Sequence, residues 1–197
     1  YFAHIDHEIL LEVLLRRFKG GAFTGLLRRL IQCYETRPGK GLPIGSLTSQ
    51  YFANYYLDGL DRLLDQHPDV RRHIRYMDDI VWWCESKSQV VSVLAEVRHY
   101  LNEQRQLTIK PQRQIQRSAQ GISYCGYRIL PGTMRMSQRR KRRYQQRRLY
   151  WEREYCLGHI NESQLQNAYA AVHSITQGMD SAGWRRVNLQ HHPPISV

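Results

Sequence analysis

Cysteines, acidic residues and long apolar runs are all scarce in this sequence. The four cysteines (Cys33, Cys84, Cys125 and Cys156) stand far apart, and no pair has the spacing of metal ligands or of a disulfide framework. This usage favours a reducing, cytoplasmic setting. The nine histidines are also scattered, which argues against a zinc site. No apolar run reaches the roughly 20 residues of a membrane-spanning helix.

Acidic residues are clearly outnumbered by basic ones. The chain has 17 Asp and Glu against 29 Lys and Arg, which gives a formal net charge of +12. Such an excess implies a polyanionic partner, and nucleic acid is the most common one. A basic protein with a solvated surface is the alternative. At 197 residues and 42% hydrophobic content, the chain can bury a sizeable core in one or two domains.

Periodicity divides the chain into a mixed α/β part and a basic helical part. Apolar residues at helical spacing predict helices over residues 5–17, 46–64 and 86–103. Short β-rich runs predict strands over residues 74–76, 80–83, 107–110 and 122–130. Eight of the 14 residues from 135 to 148 are Lys or Arg, which marks the change of character. Beyond it, helices are predicted over residues 137–156, 162–176 and 181–189, and a frayed end over 191–197.

Two adjacent aspartates lie between two of the β-rich runs. Asp78 and Asp79 belong to Arg-Tyr-Met-Asp-Asp-Ile-Val-Trp-Trp at residues 75–83, which predicts a tight hairpin with both carboxylates at its tip. Phosphoryl transfer by two metal ions needs carboxylates that hold two Mg²⁺ roughly 3.5–4 Å apart. An isolated Asp-Asp pair is more often an exposed acidic turn, so the neighbouring motifs must decide between these interpretations.

Three motifs, in this order along the chain, resemble those of reverse transcriptases. Gly-Leu-Pro-Ile-Gly-Ser-Leu-Thr-Ser-Gln at residues 41–50 resembles the loop that contacts nucleotide and template. Tyr-Met-Asp-Asp at 76–79 resembles the active-site hairpin, and Gly-Ile-Ser-Tyr-Cys-Gly-Tyr-Arg-Ile at 121–129 resembles the primer-grip hairpin. Ile before Gly, and Ser-Gln where bacterial group II intron enzymes usually have Ser-Pro, resemble the enzymes of diversity-generating retroelements.

The resemblance implies an α+β fold with two domains. Residues 1–132 correspond to a palm, an antiparallel sheet backed by helices, and residues 133–197 to a basic helical thumb. Tyr-Phe-Ala-His-Ile-Asp-His at residues 1–7 resembles the end of the family motif Asp-Ile-x-x-Phe-Phe-x-x-Ile-Asp-His. In that register Asp6 is a helix cap and the first catalytic aspartate precedes Tyr1. We therefore expect the chain to lack that aspartate, the fingers and the first palm strand, and to be inactive alone.

The resemblance also assigns chemistry to the hairpin and its surroundings. Two Mg²⁺ ions are expected, held by Asp78 and Asp79 with the aspartate before Tyr1. A proton donor to the departing pyrophosphate is expected after the helix that follows the hairpin, where Lys110 and Arg113 fit the register equally well. We favour Lys110, because an ammonium can release its proton whereas a guanidinium effectively never does.

The same resemblance assigns five residues to the incoming nucleotide or the template: Phe2, Ile44, Gly45, Ser49 and Gln50. Phe2 falls at the steric gate, where a flat ring excludes a 2′-hydroxyl and favours deoxynucleotides; the alternative is a core residue. Gly45 allows a close backbone approach. Ile44 supplies shape without a hydrogen bond, which predicts weak discrimination between bases, unless the substitution is neutral.

Nucleic-acid contacts are expected from the primer-grip hairpin and the basic segment. The residues concerned are Gly126, Tyr127, Arg139, Arg140, Arg142, Arg143, Arg147 and Arg148. Positions three and four apart share a helix face, so we expect a stripe of positive charge. Such a stripe holds an RNA–DNA hybrid by backbone charge and geometry and not by sequence. The alternative is a solvated helix face.

Together these residues predict an RNA-directed DNA polymerase of a retroelement, which extends a primer 3′-hydroxyl on an RNA template. The expected partners are the RNA template, a DNA or RNA primer and deoxynucleoside triphosphates, with room for an accessory RNA-binding subunit and no membrane. The rival hypothesis is a non-catalytic, nucleic-acid-binding remnant of such a polymerase.

Overall fold

The computed structural model describes residues 1–195, so the last two residues of the segment expected to be frayed lie outside it. The chain forms two compact units, Tyr1–Ile115 and Gln116–Val197. Both combine helices with small antiparallel sheets, as expected for an α+β protein. The boundary expected from composition, after residue 132, falls inside the second unit. None of the helices in residues 1–195 combines the length and the apolar character needed to cross a bilayer.

In the sequence of the first unit, four α-helices precede one β-hairpin and a fifth follows it. Its elements are α1 (His7–Arg17), α2 (Gly21–Gln32), α3 (Leu47–Tyr56), α4 (Asp58–Gln66), β1 (Arg72–Tyr76), β2 (Asp79–Trp83) and α5 (Lys87–Arg105). The predicted first helix is confirmed with its cap, because the Asp6 carboxylate accepts from the backbone N–H groups of Glu8 and Ile9. Such a cap stabilises a helix by about 1 kcal/mol.

Leucines at helical spacing build the core of this unit. Leu10, Leu11 and Leu14 of α1 meet the buried side chains of α3 to α5 in one apolar cluster. The buried members from those helices are Ala53, Tyr56, Leu60, Leu64, Val93 and Val97. The inner face of the hairpin adds Ile80 and Trp82 to this cluster. The hairpin is therefore packed on a rigid helical base.

The helix predicted over residues 46–64 is interrupted at Leu57, whose φ of −101° and ψ of 3° are not helical. The apolar stripe continues through the break, so the pattern gave no sign of it. Three carbonyls of the last turn of α3 accept hydrogen bonds from distant side chains, and that of Asn54 also accepts one from the Leu57 N–H over 3.3 Å. Tyr1 donates to Ala53, Arg75 to Asn54 and Arg105 to Tyr56.

The strand predicted over residues 107–110 is wrong. Gln106 ends α5 in the left-handed conformation, with a φ of 49°, and the backbone N–H of Leu107 donates back to Leu101 over 2.9 Å. Leu107 and Ile109 pack on the apolar core from an irregular segment. The alternation of apolar residues there reflects this packing and not pairing with another strand.

The second unit begins with a three-stranded antiparallel sheet and ends with helices. Its elements are β3 (Ile122–Tyr124), β4 (Tyr127–Leu130), β5 (Thr133–Met136), α6 (Gln138–Cys156), α7 (Glu162–Ser174) and α8 (Ala182–His191). The strand predicted over 122–130 is a hairpin of two strands, and β5 was not predicted. The three predicted helices are confirmed. Their core contains Tyr144 and Val172, with Trp151 and Trp184 packed against them.

Candidate active site and nucleic-acid interface

The carboxylate hairpin has the predicted form. Tyr76 pairs with Asp79 as the last rung of the ladder, so Met77 and Asp78 form a two-residue turn. Met77 has a φ of +56°, as the first residue of a type II′ turn requires and as L-residues seldom adopt. Asp78 and Asp79 are both exposed. The turn therefore presents two neighbouring carboxylates to solvent.

Arg75 holds this turn from beneath, with a side chain that is only 10% exposed. Its Nε and Nη2 donate to the two carboxylate oxygens of Asp61 over 2.8 and 2.5 Å. Its Nη1 donates to Asn54 Oδ1 over 3.0 Å and to the Met77 carbonyl over 3.1 Å. Nη2 also donates to the Asn54 carbonyl over 3.2 Å. These five contacts match the five donors of a guanidinium.

The hydrogen bond to Asp61 raises the pKa of Arg75, so the guanidinium stays charged in its half-buried place. The sequence analysis did not single out this residue. A signal was present, because Arg75 lies opposite Ile80 in the hairpin and Ile80 packs on the core. An arginine on the inward face of a short apolar hairpin needs acceptors, and the acidic helix just before it supplies one.

Lys110 is the residue that the structure brings to the hairpin. Its Nζ lies 3.7 Å from Asp78 Oδ2, and its side chain is 78% exposed. An exposed pair of this kind adds only about 0–1 kcal/mol, so Lys110 can leave Asp78 at little cost. Arg113, the alternative proton donor, is exposed three residues farther along the chain. The position of Lys110 near the carboxylates favours it over Arg113.

Tyr1 lies near Arg75 and the tip of the hairpin. Its hydroxyl donates to the Ala53 carbonyl. Burial raises the pKa of this phenol well above its usual range, Arg75 lowers it in part, and the Asp78 charge contributes a smaller increase. Tyr1 therefore remains a neutral hydrogen-bond donor close to both the arginine and the hairpin tip.

The predicted nucleotide-contacting residues divide into exposed and enclosed ones. Ile44 is 86% exposed, and Gly45, with a φ of +98°, has open space where a Cβ would lie. Gln50 is exposed as well. Phe2 is partly buried and packs against Tyr1 and the core, so its contact with the sugar stays a prediction. Ser49 is 2% exposed, so a direct contact with a nucleotide is not available to it in this structure.

The loop before α3 is joined to the first residues of the chain by backbone hydrogen bonds. Leu42 donates to the Phe2 carbonyl over 3.1 Å and Gly41 to the Ile5 carbonyl over 2.9 Å. The buried His7 Nε2 lies 2.7 Å from the Gly41 carbonyl oxygen. These bonds bring Phe2 and the start of the loop together, although they are about 40 residues apart.

A model of the family described as reverse transcriptase (RNA-dependent DNA polymerase) matches residues 1–129. The chain belongs to the reverse transcriptase family. The match includes the loop, the carboxylate hairpin and the strands of the predicted primer grip. A search of curated proteins found no match.

The hairpin of β3 and β4, which the sequence analysis compared to a primer grip, contacts α6 of this reverse transcriptase chain through one arginine. The Arg140 guanidinium carbon lies 4.1 Å from the centre of the Tyr127 ring. At the turn, Gly126 has a φ of +81°, and a Cβ there would lie 3.2 Å from Arg140 Nε. The structure thus brings together three of the residues predicted to bind nucleic acid.

The outer face of α6 is strongly basic. Four of the predicted arginines are exposed at helical spacing: Arg139, Arg142, Arg143 and Arg147. Tyr150, 54% exposed, and Arg153 extend the same face. We call these six residues the basic face. Its charges lie side by side in a geometry that suits a row of phosphates.

Arg148 corrects the sequence prediction, because it lies on the opposite side of α6 and is 3% exposed. Its Nε lies 3.1 Å from Glu152 Oε1, and its Nη2 donates to the His192 carbonyl over 2.5 Å. Glu152 also accepts from the Tyr169 hydroxyl over 2.9 Å. Burial and that hydrogen bond raise the pKa of Tyr169 to about 12. Arg148 therefore helps to connect α6 with α7 and with the residue that follows α8. It is too buried to contact a phosphate.

Two adjacent arginines should behave in opposite ways when replaced by glutamine. Arg148→Gln should lower the free energy of unfolding of the second unit by about 3–5 kcal/mol, because Glu152 would be left buried without its partner. Arg147→Gln should change it by less than about 0.5 kcal/mol. Denaturant unfolding of both variants measures the difference. Equal losses of stability would contradict the assignment of Arg148 to the core.

Proposed function

We propose that this chain carries the polymerase site of an RNA-directed DNA polymerase, which adds deoxynucleotides to a primer 3′-hydroxyl on an RNA template. The observation that carries the proposal is a pair of exposed carboxylates, Asp78 and Asp79, within a reverse transcriptase domain. The turn that presents them is held by a hydrogen bond from Arg75. In this proposal the first unit is the palm and the basic helices of the second unit are the thumb.

The donor set of the hairpin fits magnesium. Mg²⁺ prefers oxygen ligands and is usually bound by one or two carboxylates together with substrate phosphates and water. Within residues 1–195, no group of three or more His, Cys, Asp or Glu side chains is placed to hold a metal ion. Asp78 and Asp79 would therefore hold the ions together with phosphate oxygens and any further ligand. Bound Mg²⁺ would neutralise the charge that develops on the phosphoryl group.

The residues of this chain have distinct tasks in the proposed reaction. The primer 3′-oxygen forms a bond to the α-phosphorus, and the bond from that phosphorus to pyrophosphate breaks. Lys110, which reaches Asp78 in this structure, would give a proton to the departing pyrophosphate. Phe2 would pack beside the sugar and disfavour a 2′-hydroxyl. Ile44 and Gly45 would face the incoming nucleotide, with Gln50 on the template side.

The basic face would hold the RNA–DNA hybrid through its phosphates, while Gly126 and Tyr127 meet the primer. Ile44 and Gln50 favour an enzyme of the diversity-generating retroelement type, working in the cytoplasm and open to an accessory RNA-binding subunit. The second candidate is a nucleic-acid-binding protein without catalysis, which the basic face alone would support.

The hairpin can be tested by Asp78→Asn in the protein. Extension of a primer on an RNA template should fall at least about a thousandfold, because an amide replaces an anionic ligand at the site of charge development. Affinity for the hybrid should stay within about twofold, since the basic face is unchanged. Asp65→Asn, an equal change of charge at an exposed position of α4, should keep the parent's activity.

Two results would decide between the candidates. Loss of extension with intact hybrid binding supports the polymerase. If the parent binds hybrid but shows no Mg²⁺-dependent extension above that of Asp78→Asn, the non-catalytic candidate is correct.

The basic face can be tested by the salt dependence of hybrid binding. Each neutralised phosphate releases condensed counterion, so log affinity should fall linearly with log salt concentration. Replacing Arg139, Arg142, Arg143 and Arg147 by Gln should reduce the magnitude of that slope by roughly 3–4 units, about one for each lost contact. Glutamine keeps helix propensity, so circular dichroism should be unchanged. An unaltered slope in the folded variant would refute the assignment.

A further inference from the structure

We propose that Arg75 is a positioning residue for the polymerase reaction: it fixes the direction in which the turn presents Asp78 by clamping the turn to the break between α3 and α4. The inference rests on the proposed function of the hairpin. It adds a residue that touches neither substrate nor metal and acts through the turn.

The turn needs an external support. A two-stranded sheet alone is only marginally stable in water, and Met77 holds a positive φ that L-residues seldom adopt. The Met77 carbonyl belongs to the peptide that leads into Asp78. Arg75 Nη1 donates to that carbonyl over 3.1 Å. This bond fixes the orientation of the peptide, and with it the starting direction of the Asp78 side chain.

The other end of the clamp is anchored in the helices. Arg75 Nη2 donates to the Asn54 carbonyl in the last turn of α3, an acceptor that it shares with the Leu57 N–H. A cation at the C-terminal end of α3 is also favoured by the helix dipole. The bidentate ion pair with Asp61, in the first turns of α4, completes the attachment. One side chain therefore joins the turn to both helices.

The arrangement requires arginine and not merely positive charge. A guanidinium is a planar fork with five donors, whereas an ammonium has three donors and no bidentate geometry. Lysine at this position would have to abandon at least two of the five acceptors. The ion pair with Asp61 also neutralises the Arg75 charge, so the guanidinium competes little with Mg²⁺ for Asp78.

A buried ion pair that only stabilised the fold would have a different signature. Its loss would reduce the amount of folded enzyme and the melting temperature, but the remaining folded molecules would bind Mg²⁺ as before. A displaced carboxylate weakens the metal site itself. The Mg²⁺ concentration that gives half-maximal activity therefore separates positioning from stability.

The test compares Arg75→Lys with Arg62→Lys in the protein. Arg62 pairs with Asp58 on the exposed side of α4, so its variant repeats the chemical change where no turn depends on it. Arg75→Lys should lower kcat for primer extension on the order of a hundredfold, as a displacement of about 1 Å does. It should raise the half-activating Mg²⁺ concentration roughly tenfold. KM for the nucleotide should change less than about threefold. Arg62→Lys should match the parent in all three.

If Arg75→Lys fails to fold, Asp61→Asn loosens the same clamp without removing the guanidinium and should shift the Mg²⁺ midpoint in the same direction. The proposal is overturned if the folded variant keeps the parent's midpoint, whether or not its melting temperature or yield falls. Failure of the proposed function would look different, since the parent itself would then show no Mg²⁺-dependent extension above that of Asp78→Asn.

Discussion

The ion pair between Arg75 and Asp61 is the contact on which the geometry of the hairpin tip depends. Taking two charges out of water costs several kcal/mol per ion, and the cost is offset only when the geometry is good and every donor is satisfied. Arg75 meets that condition through contacts to Asp61, Asn54 and Met77. The break in the helix lies beside the same arrangement, because the Asn54 carbonyl next to it accepts from both Arg75 and the Leu57 N–H. Removing either partner would leave the other, mostly buried charge without this ion pair.

Each unit buries one arginine in an ion pair and exposes other charged residues. The first unit buries one arginine against a carboxylate and keeps Asp78 and Asp79 exposed at the turn. The second buries Arg148 against Glu152 and keeps the basic face exposed. In both units, a buried ion pair lies close in the sequence to charged residues that are exposed.

The parts predicted from sequence are those governed by local rules. The hairpin followed from the β-rich runs on either side of Asp78 and Asp79, and α1 followed from its apolar stripe and its Asp6 cap. The break at Leu57 could not be predicted, because its cause lies in side chains from Tyr1, Arg75 and Arg105. The strand over 107–110 failed because packing on the core imitates alternation. Arg148 was misassigned because density of charge does not show which face of a helix is buried.

The state of the Arg75 guanidinium tests this account most directly. Its Nε–H can be followed by nitrogen-15 NMR, with Arg62 of α4 as an exposed reference. If the clamp exists in solution, the Arg75 Nε–H should exchange with water at least about a hundredfold more slowly than that of Arg62, because a buried, hydrogen-bonded group must open first. Equal exchange rates in the folded protein would contradict the central role given to Arg75.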